Sequence, residues 1–213
     1  MKLSVPRLTT KRMPVKKVMR ALDSLPRTPL DSVAWKEFPL KPAVNFTLAY
    51  GDDAFYIKFR VSEDEVLALY SHPSQPVCRD SCVEFFVSPD RKDYYNIEFN
   101  CIGACFMAVG YDRAHRRMIK PDVIEKKIDV VSTLGKRPFN LRAGRVSWEL
   151  AAVIPFEIME SPRVTDVRGK TFTANFYKCG DEMTAPHYIT WNPVGTPEPD
   201  YHTPEYFGEI EFV

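Results

Sequence analysis

Two segments of this 213-residue chain set acids and amides against rings and aliphatics in strict alternation. In Tyr94 to Asn100, Tyr95, Ile97 and Phe99 alternate with Asn96, Glu98 and Asn100; in Cys82 to Val87, Val83, Phe85 and Val87 alternate with Glu84 and Phe86. A period of two marks strands with two different faces. If both strands share a sheet, Glu84, Asn96, Glu98 and Asn100 form a polar floor. Carboxylates and amides each engage a pair of vicinal hydroxyls, and an aromatic ring covers the apolar side of a pyranose, so the chemistry that suits this floor is sugar recognition. The competing reading is an outer sheet face that is simply hydrated. Two carboxylates on one face also admit glycoside hydrolysis by Glu84 and Glu98, which requires them about 5 to 9.5 Å apart. The sequence contains no nucleophile elbow, H-E-x-x-H, Walker loop or G-x-G-x-x-G.

A second group of candidates lies between Trp191 and Phe207, where the chain reads W-N-P-V-G-T-P-E-P-D-Y-H-T-P-E-Y-F. This run is too proline-rich for a strand and too aromatic for an idle linker, which makes it a candidate ligand wall. Tyr201 and His202 are its candidate contacts. Trp191 either packs or faces the cleft, while His187 reads as structural. The five cysteines fit reduced thiols better than a closed disulfide framework. Cys78 with Cys82, and Cys101 with Cys105, have a spacing compatible with zinc, but their apolar surroundings favour core thiols. No metal or cofactor is therefore assigned.

Charge is nearly balanced, with 29 basic and 28 acidic residues, so no net field draws the molecule to nucleic acid or to a membrane surface. The exception is local: Lys11, Arg12, Lys16, Lys17 and Arg20 occur without an acid, which predicts a basic, solvated arm over residues 1–30. That stretch has no apolar core of a secretory signal, and the Leu150 to Phe156 run is too short to span a bilayer. With Met1 as the native start the expectation is a cytoplasmic protein; had a signal been removed, a periplasmic or extracellular one.

Apolar residues make up 45% of the chain, enough to fill the space between two sheets, and residues 31–213 are expected to form one domain. Period-two segments recur at 45–50, 54–61, 65–70, 105–111, 127–134, 146–154, 171–178, 187–191 and 207–213, besides the two above. Short strands separated by turn signals predict an all-β, two-sheet antiparallel sandwich of roughly ten strands with little helix. Helix is expected only near Val15 to Leu22 and as a turn from Pro155 to Met159.

The ordered series R-D-S-C-V-E-F-F-V-S-P-D from Arg79, Y-Y-N-I-E-F-N-C-I-G from Tyr94, N-F-Y-K-C-G-D from Asn175, H-Y-I-T-W-N-P from His187 and P-E-Y-F-G-E-I from Pro204 resembles the family 9 carbohydrate-binding modules. The likeness to their stand-alone, Bacteroides-type relatives is greater still. It implies a DOMON-like β-sandwich that binds carbohydrate without acting on it, between two clamping tryptophans. By motif, Glu84 and Asn100 fall on hydroxyl-binding positions, Glu98 stands where an arginine is usual, and Tyr201 occupies one clamp position. At the other clamp position, ahead of D-S-C-V-E, there are Val77, Cys78 and Arg79 and no tryptophan. The resemblance also admits a calcium ion, for which no regularly spaced acidic loop is present. Some proteins of similar fold bind haem, and Met107, Met118 and His115 are the residues available for it.

Overall fold

The alternating segments resolve, in a computed structural model describing residues 1–9 and 11–213, into fourteen strands and two short α-helices among the described residues. In chain order these are β1 (Lys2–Val5), α1 (Val15–Ala21), β2 (Thr28–Pro29), β3 (Ser32–Val33), β4 (Ala43–Tyr50), β5 (Ala54–Ala68), β6 (Cys82–Ser88), β7 (Tyr94–Asn100), β8 (Cys105–Gly110) and β9 (Arg116–Met118). There follow α2 (Pro121–Lys127), β10 (Asp129–Ser132), β11 (Phe139–Pro155), β12 (Thr171–Cys179), β13 (Tyr188–Thr190) and β14 (Gly208–Phe212). One sheet runs β1-β14-β12-β6-β7-β8-β9, with β13 added to β12 and β3 to β13; the other runs β10-β11-β5-β4-β2. All pairings are antiparallel except the parallel β1–β14 edge. The fold is the all-β sandwich that the periodicity predicts.

The core forms where the inward faces meet. Phe55, Ile57, Phe59 and Val61 of β5 face Val83, Phe85 and Val87 of β6 and Ile97 and Phe99 of β7, all within one buried cluster. Trp148 on β11 is 1% exposed and donates its indole N–H to Glu63 at 2.7 Å.

Both outer faces are covered, which alternation alone does not reveal. The stretch expected to be a solvated arm is instead folded onto the sandwich. Its β1 segment extends one sheet beside β14, and α1 lies across the outer face of the other. Val15, Val18 and Leu22 recur at helical spacing, and Val18 and Leu22 are fully buried against Ala49, Tyr56 and Val153. Under this helix the Lys58 ammonium, 1% exposed, reaches Asp23 at 2.8 Å and Glu149 at 2.9 Å. Lys58 is thus buried beneath the helix while its two carboxylate partners stay partly exposed.

Two boundaries also differ from expectation. The segments 54–61 and 65–70 are one long strand, β5, because β11 pairs with it along nearly its whole length. The strand expected over 127–134 starts later, since Pro121 opens helix α2 and Lys126 and Lys127 close it before β10 begins. From Pro155, the expected turn is a single 3₁₀ segment, Phe156–Met159.

Candidate functional site

On the outer face of the larger sheet, Glu84 of β6 and Glu98 of β7 are directly opposed register partners. The face is not bare. The proline-rich segment after Trp191 folds over it and makes a second, smaller apolar cluster with Phe86, Tyr94, Tyr177 and Phe207. Among the contacts that hold that segment down, the Trp35 indole N–H donates to the Thr196 carbonyl at 2.8 Å, and the Asn175 amide donates to the Asn192 carbonyl at 2.9 Å. Between floor and loop lies a cavity of about 350 Å³. Glu84, Glu98, Tyr201 and His202 all line it, so four of the six sequence candidates come together there.

The other two do not. Asn100 is fully buried and its amide is spent on structure: it donates to Asp80 at 2.7 Å and to the Tyr70 carbonyl at 2.6 Å, and accepts from the Ala104 N–H at 2.9 Å. Asp80 in turn accepts the Leu69 and Tyr70 N–H groups, so the acid that opens the D-S-C-V-E run fastens the chain after β5 to the β7–β8 turn. Trp191 faces the inter-sheet core, packed edge-on against Phe176 at 5.5 Å. Met107 lies in that core, while Met118 is exposed, so these two methionines do not converge on a haem-sized site.

Sequence reasoning missed most of the lining. Arg113 and Arg116 reach the rim from the β8–β9 hairpin, Asp181 and Tyr188 from either side of the β12–β13 turn, and Phe106 from β8. Phe106, Arg113 and Arg116 stand in no motif; Asp181 ends N-F-Y-K-C-G-D and Tyr188 is the aromatic in H-Y-I-T-W, yet only the topology brings the five together. Where a clamp tryptophan is absent from the sequence, Cys78 lines the cavity, and Phe106 and Tyr188 supply aromatic surface nearby.

The floor is electrostatically unusual. Burial, reinforced by Glu98, pushes the Glu84 carboxyl well above its ordinary range. Burial likewise raises Glu98 from 4.5 to about 7, against the 2.8 Å hydrogen bond from the Asn96 amide, which acts the other way. Glu84 Oε1 accepts from the Cys179 thiol at 3.1 Å. His202 is held neutral, its pKa lowered to about 3 by burial and by the rim arginines, and its Nδ1 lies 2.9 Å from the Tyr94 hydroxyl. Tyr201 is 7% exposed, stacked at 3.9 Å on Tyr177, with its hydroxyl donating to the Lys178 carbonyl. A Tyr201→Ala change would therefore cost fold stability as well as any ligand contact.

These shifts fix a pH dependence. Between 4.5 and about 7 the folded protein keeps the Glu98 proton that the unfolded chain releases, so this group's contribution to stability falls as pH rises through that window. Glu98→Gln cannot ionise. Relative to the parent, its unfolding free energy should rise between pH 5 and pH 8, by an amount on the order of 1–3 kcal/mol. His187 and His202, lowered from 6.5 to about 3, act oppositely, losing stability as pH falls below 6.5, but they are common to both proteins and cancel in the difference. Urea titrations at the two pH values measure it, and parallel profiles would contradict the assignment.

The pattern of Carbohydrate-binding family 9 matches residues 15–212. The chain belongs to that family. A proposed carbohydrate-binding protein from Bacteroides uniformis ATCC 8492 is 36% identical over 100% of this chain and 99% of its own, with a TM-score of 0.94. Two structures of a family 9 module from Caldicellulosiruptor kristjanssonii share the fold. The complex with cellotriose is 14% identical, with a TM-score of 0.65 and 93% of that chain covered; the complex with glucose is 15% identical, with 0.63 and 96%. Both are matched over 100% of the present chain. No curated protein matches. As the fold and family lead one to expect, no helix among the described residues is long and apolar enough to cross a membrane.

Proposed function

We propose that this family 9 module holds a sugar ring, or the end of a short glucan such as cellotriose, in the cavity over Glu84 and Glu98 and does no chemistry on it. The observation that carries the reading is the opposed carboxyl pair on the floor of a cavity walled by aromatic side chains. Its volume is near the lower end of the ~300–1,000 Å³ usual for ligand pockets, which suits one or two sugar residues. The Glu84 carboxyl, raised by burial and by Glu98, both donates and accepts when it carries its proton, as vicinal hydroxyls require. Tyr188, Phe106 and Tyr201 offer the apolar surface on which a pyranose face can rest.

Hydrolysis is the poorer reading of the same pair. Glycosidase carboxyls flank the scissile bond, whereas Glu84 and Glu98 rise side by side from neighbouring strands and would meet a ligand from one side. Calorimetric titration with glucose and cellotriose tests the proposal. Glu98→Gln should weaken binding by about 1.5–3 kcal/mol at pH 8, where the parent's carboxylate is ionised, and by about 0.5–1.5 kcal/mol at pH 5, where it is neutral. Equal affinity of parent and variant at both pH values would remove Glu98 from the site, and release of reducing sugar during the titration would make the protein an enzyme.

A further inference from the structure

The floor of the cavity holds more thiol than sugar recognition requires. Cys82 of β6 and Cys179 of β12 are register partners on adjacent strands, and Glu84 lies two residues along β6 on the same face. Their Cys Sγ and carboxylate oxygen atoms all lie within 4.8 Å of one another, and all three residues are buried. Cys179 Sγ is 3.1 Å and Cys82 Sγ 3.9 Å from Glu84 Oε1. From this geometry we propose that Cys82, Cys179 and Glu84 form a binding site for a thiophilic divalent cation such as zinc, with the fourth position open to the cavity.

The fit is metric. Zinc bonds of ~2.3 Å to sulfur and ~2.1 Å to oxygen, set at the tetrahedral angle, place sulfur and oxygen about 3.6 Å apart. The two Sγ–Oε1 distances bracket that value, and the two sulfurs lie within 4.8 Å of each other. Cys78 lines the same cavity but its thiol is not among the converging atoms, which leaves the fourth position to solvent or a ligand oxygen.

Each zinc–sulfur bond forms as a thiol proton leaves for solvent, the Glu84 proton leaves with them, and affinity therefore rises with pH. The other cysteine pair takes no part: Cys101 directs its thiol to the Leu67 carbonyl and Cys105 to that of Phe106.

The site shares Glu84 and the cavity with the proposed sugar site but needs no sugar to be occupied, so the probe is the metal alone. Reduced protein titrated with zinc or cobalt(II) in the absence of sugar should take up one equivalent, and the cobalt form should show thiolate-to-metal charge transfer in the near ultraviolet. Cys82→Ser and Cys179→Ser should lower affinity by more than the ~10–100-fold typical of losing an outer-shell partner; Cys101→Ser should leave it unchanged. X-ray absorption of the zinc-loaded parent provides a readout that no variant's folding can confuse, with two sulfur and two lighter ligands expected. A first shell without sulfur, no stoichiometric uptake, or a charge-transfer band of undiminished intensity in Cys179→Ser would overturn the proposal. Metal uptake without sugar binding would leave it standing while removing the sugar reading.

Discussion

In urea denaturation, Phe176→Ala is expected to lower the unfolding free energy by about 3–5 kcal/mol, the usual range for truncating a buried phenylalanine. Its ring is fully buried between Phe46 of the smaller sheet, at 3.7 Å, and Phe85 of the larger, at 5.0 Å, with both neighbours near-parallel to it. Trp191 closes the stack from the side. Rigid strands on both sheets prevent the hole from collapsing, so the cavity term adds to the lost burial. Against a typical total of ~5–15 kcal/mol, this is a large fraction of stability. The consequence reaches the site, because β12 alternates Phe176 inward with Tyr177 and Cys179 outward. A midpoint shift corresponding to less than about 1 kcal/mol would show that the two sheets are not held together there.

Glu63→Gln should cost a similar amount, about 3–5 kcal/mol, for an electrostatic reason. Lys178 is fully buried, and its ammonium lies 2.9 Å from Glu63 Oε2 while donating to the Cys179 carbonyl at 2.8 Å and approaching His187 Nε2 at 2.7 Å. His187 stays neutral, pushed down to about 3 by burial and by that lysine, so it cannot replace the lost negative charge or take up the proton cheaply. Removing the Glu63 charge strands a buried cation. The pair Glu63→Gln and Lys178→Met, which removes both charges, should recover most of the loss. A double variant as unstable as Glu63→Gln alone would mean that the damage comes from the Trp148 indole contact to Glu63 instead.

The alternation in β6 and β7 was sufficient to place Glu84 and Glu98 on one face, because side-chain direction in a strand depends only on parity. It could not tell that Asn100, of the same parity, is consumed by Asp80 and Tyr70, since those partners come from a loop with no fixed spacing to it. The proline-rich loop was recognisable as a wall from its composition, and Tyr201 and His202 with it. Trp191, at the loop's first residue, still obeys the strand before it and points into the core. Parity sets Lys58 on the face of β5 opposite Phe55, Ile57 and Phe59 but does not show that it is buried, because the α1 helix that covers it is separated from it by some forty residues. Arg113 and Asp181 reach the cavity from turns, where no periodicity exists to follow, and Arg116 from the first residue of the three-residue β9, too short to show one. What a pattern of period two conveys is the face of each strand; what lies over that face is decided by long-range pairing.

The central claim is that sugar occupies the cavity above Glu84 and Glu98, and an amide-resolved NMR titration with glucose and cellotriose tests it most directly. The account predicts saturable shifts concentrated in residues 82–86, 96–100, 177–181 and 198–203 and at Phe106, Arg113, Arg116 and Tyr188, with the outer face of the smaller sheet around α1 unmoved. Shifts absent at millimolar sugar, or centred away from these residues, would contradict it.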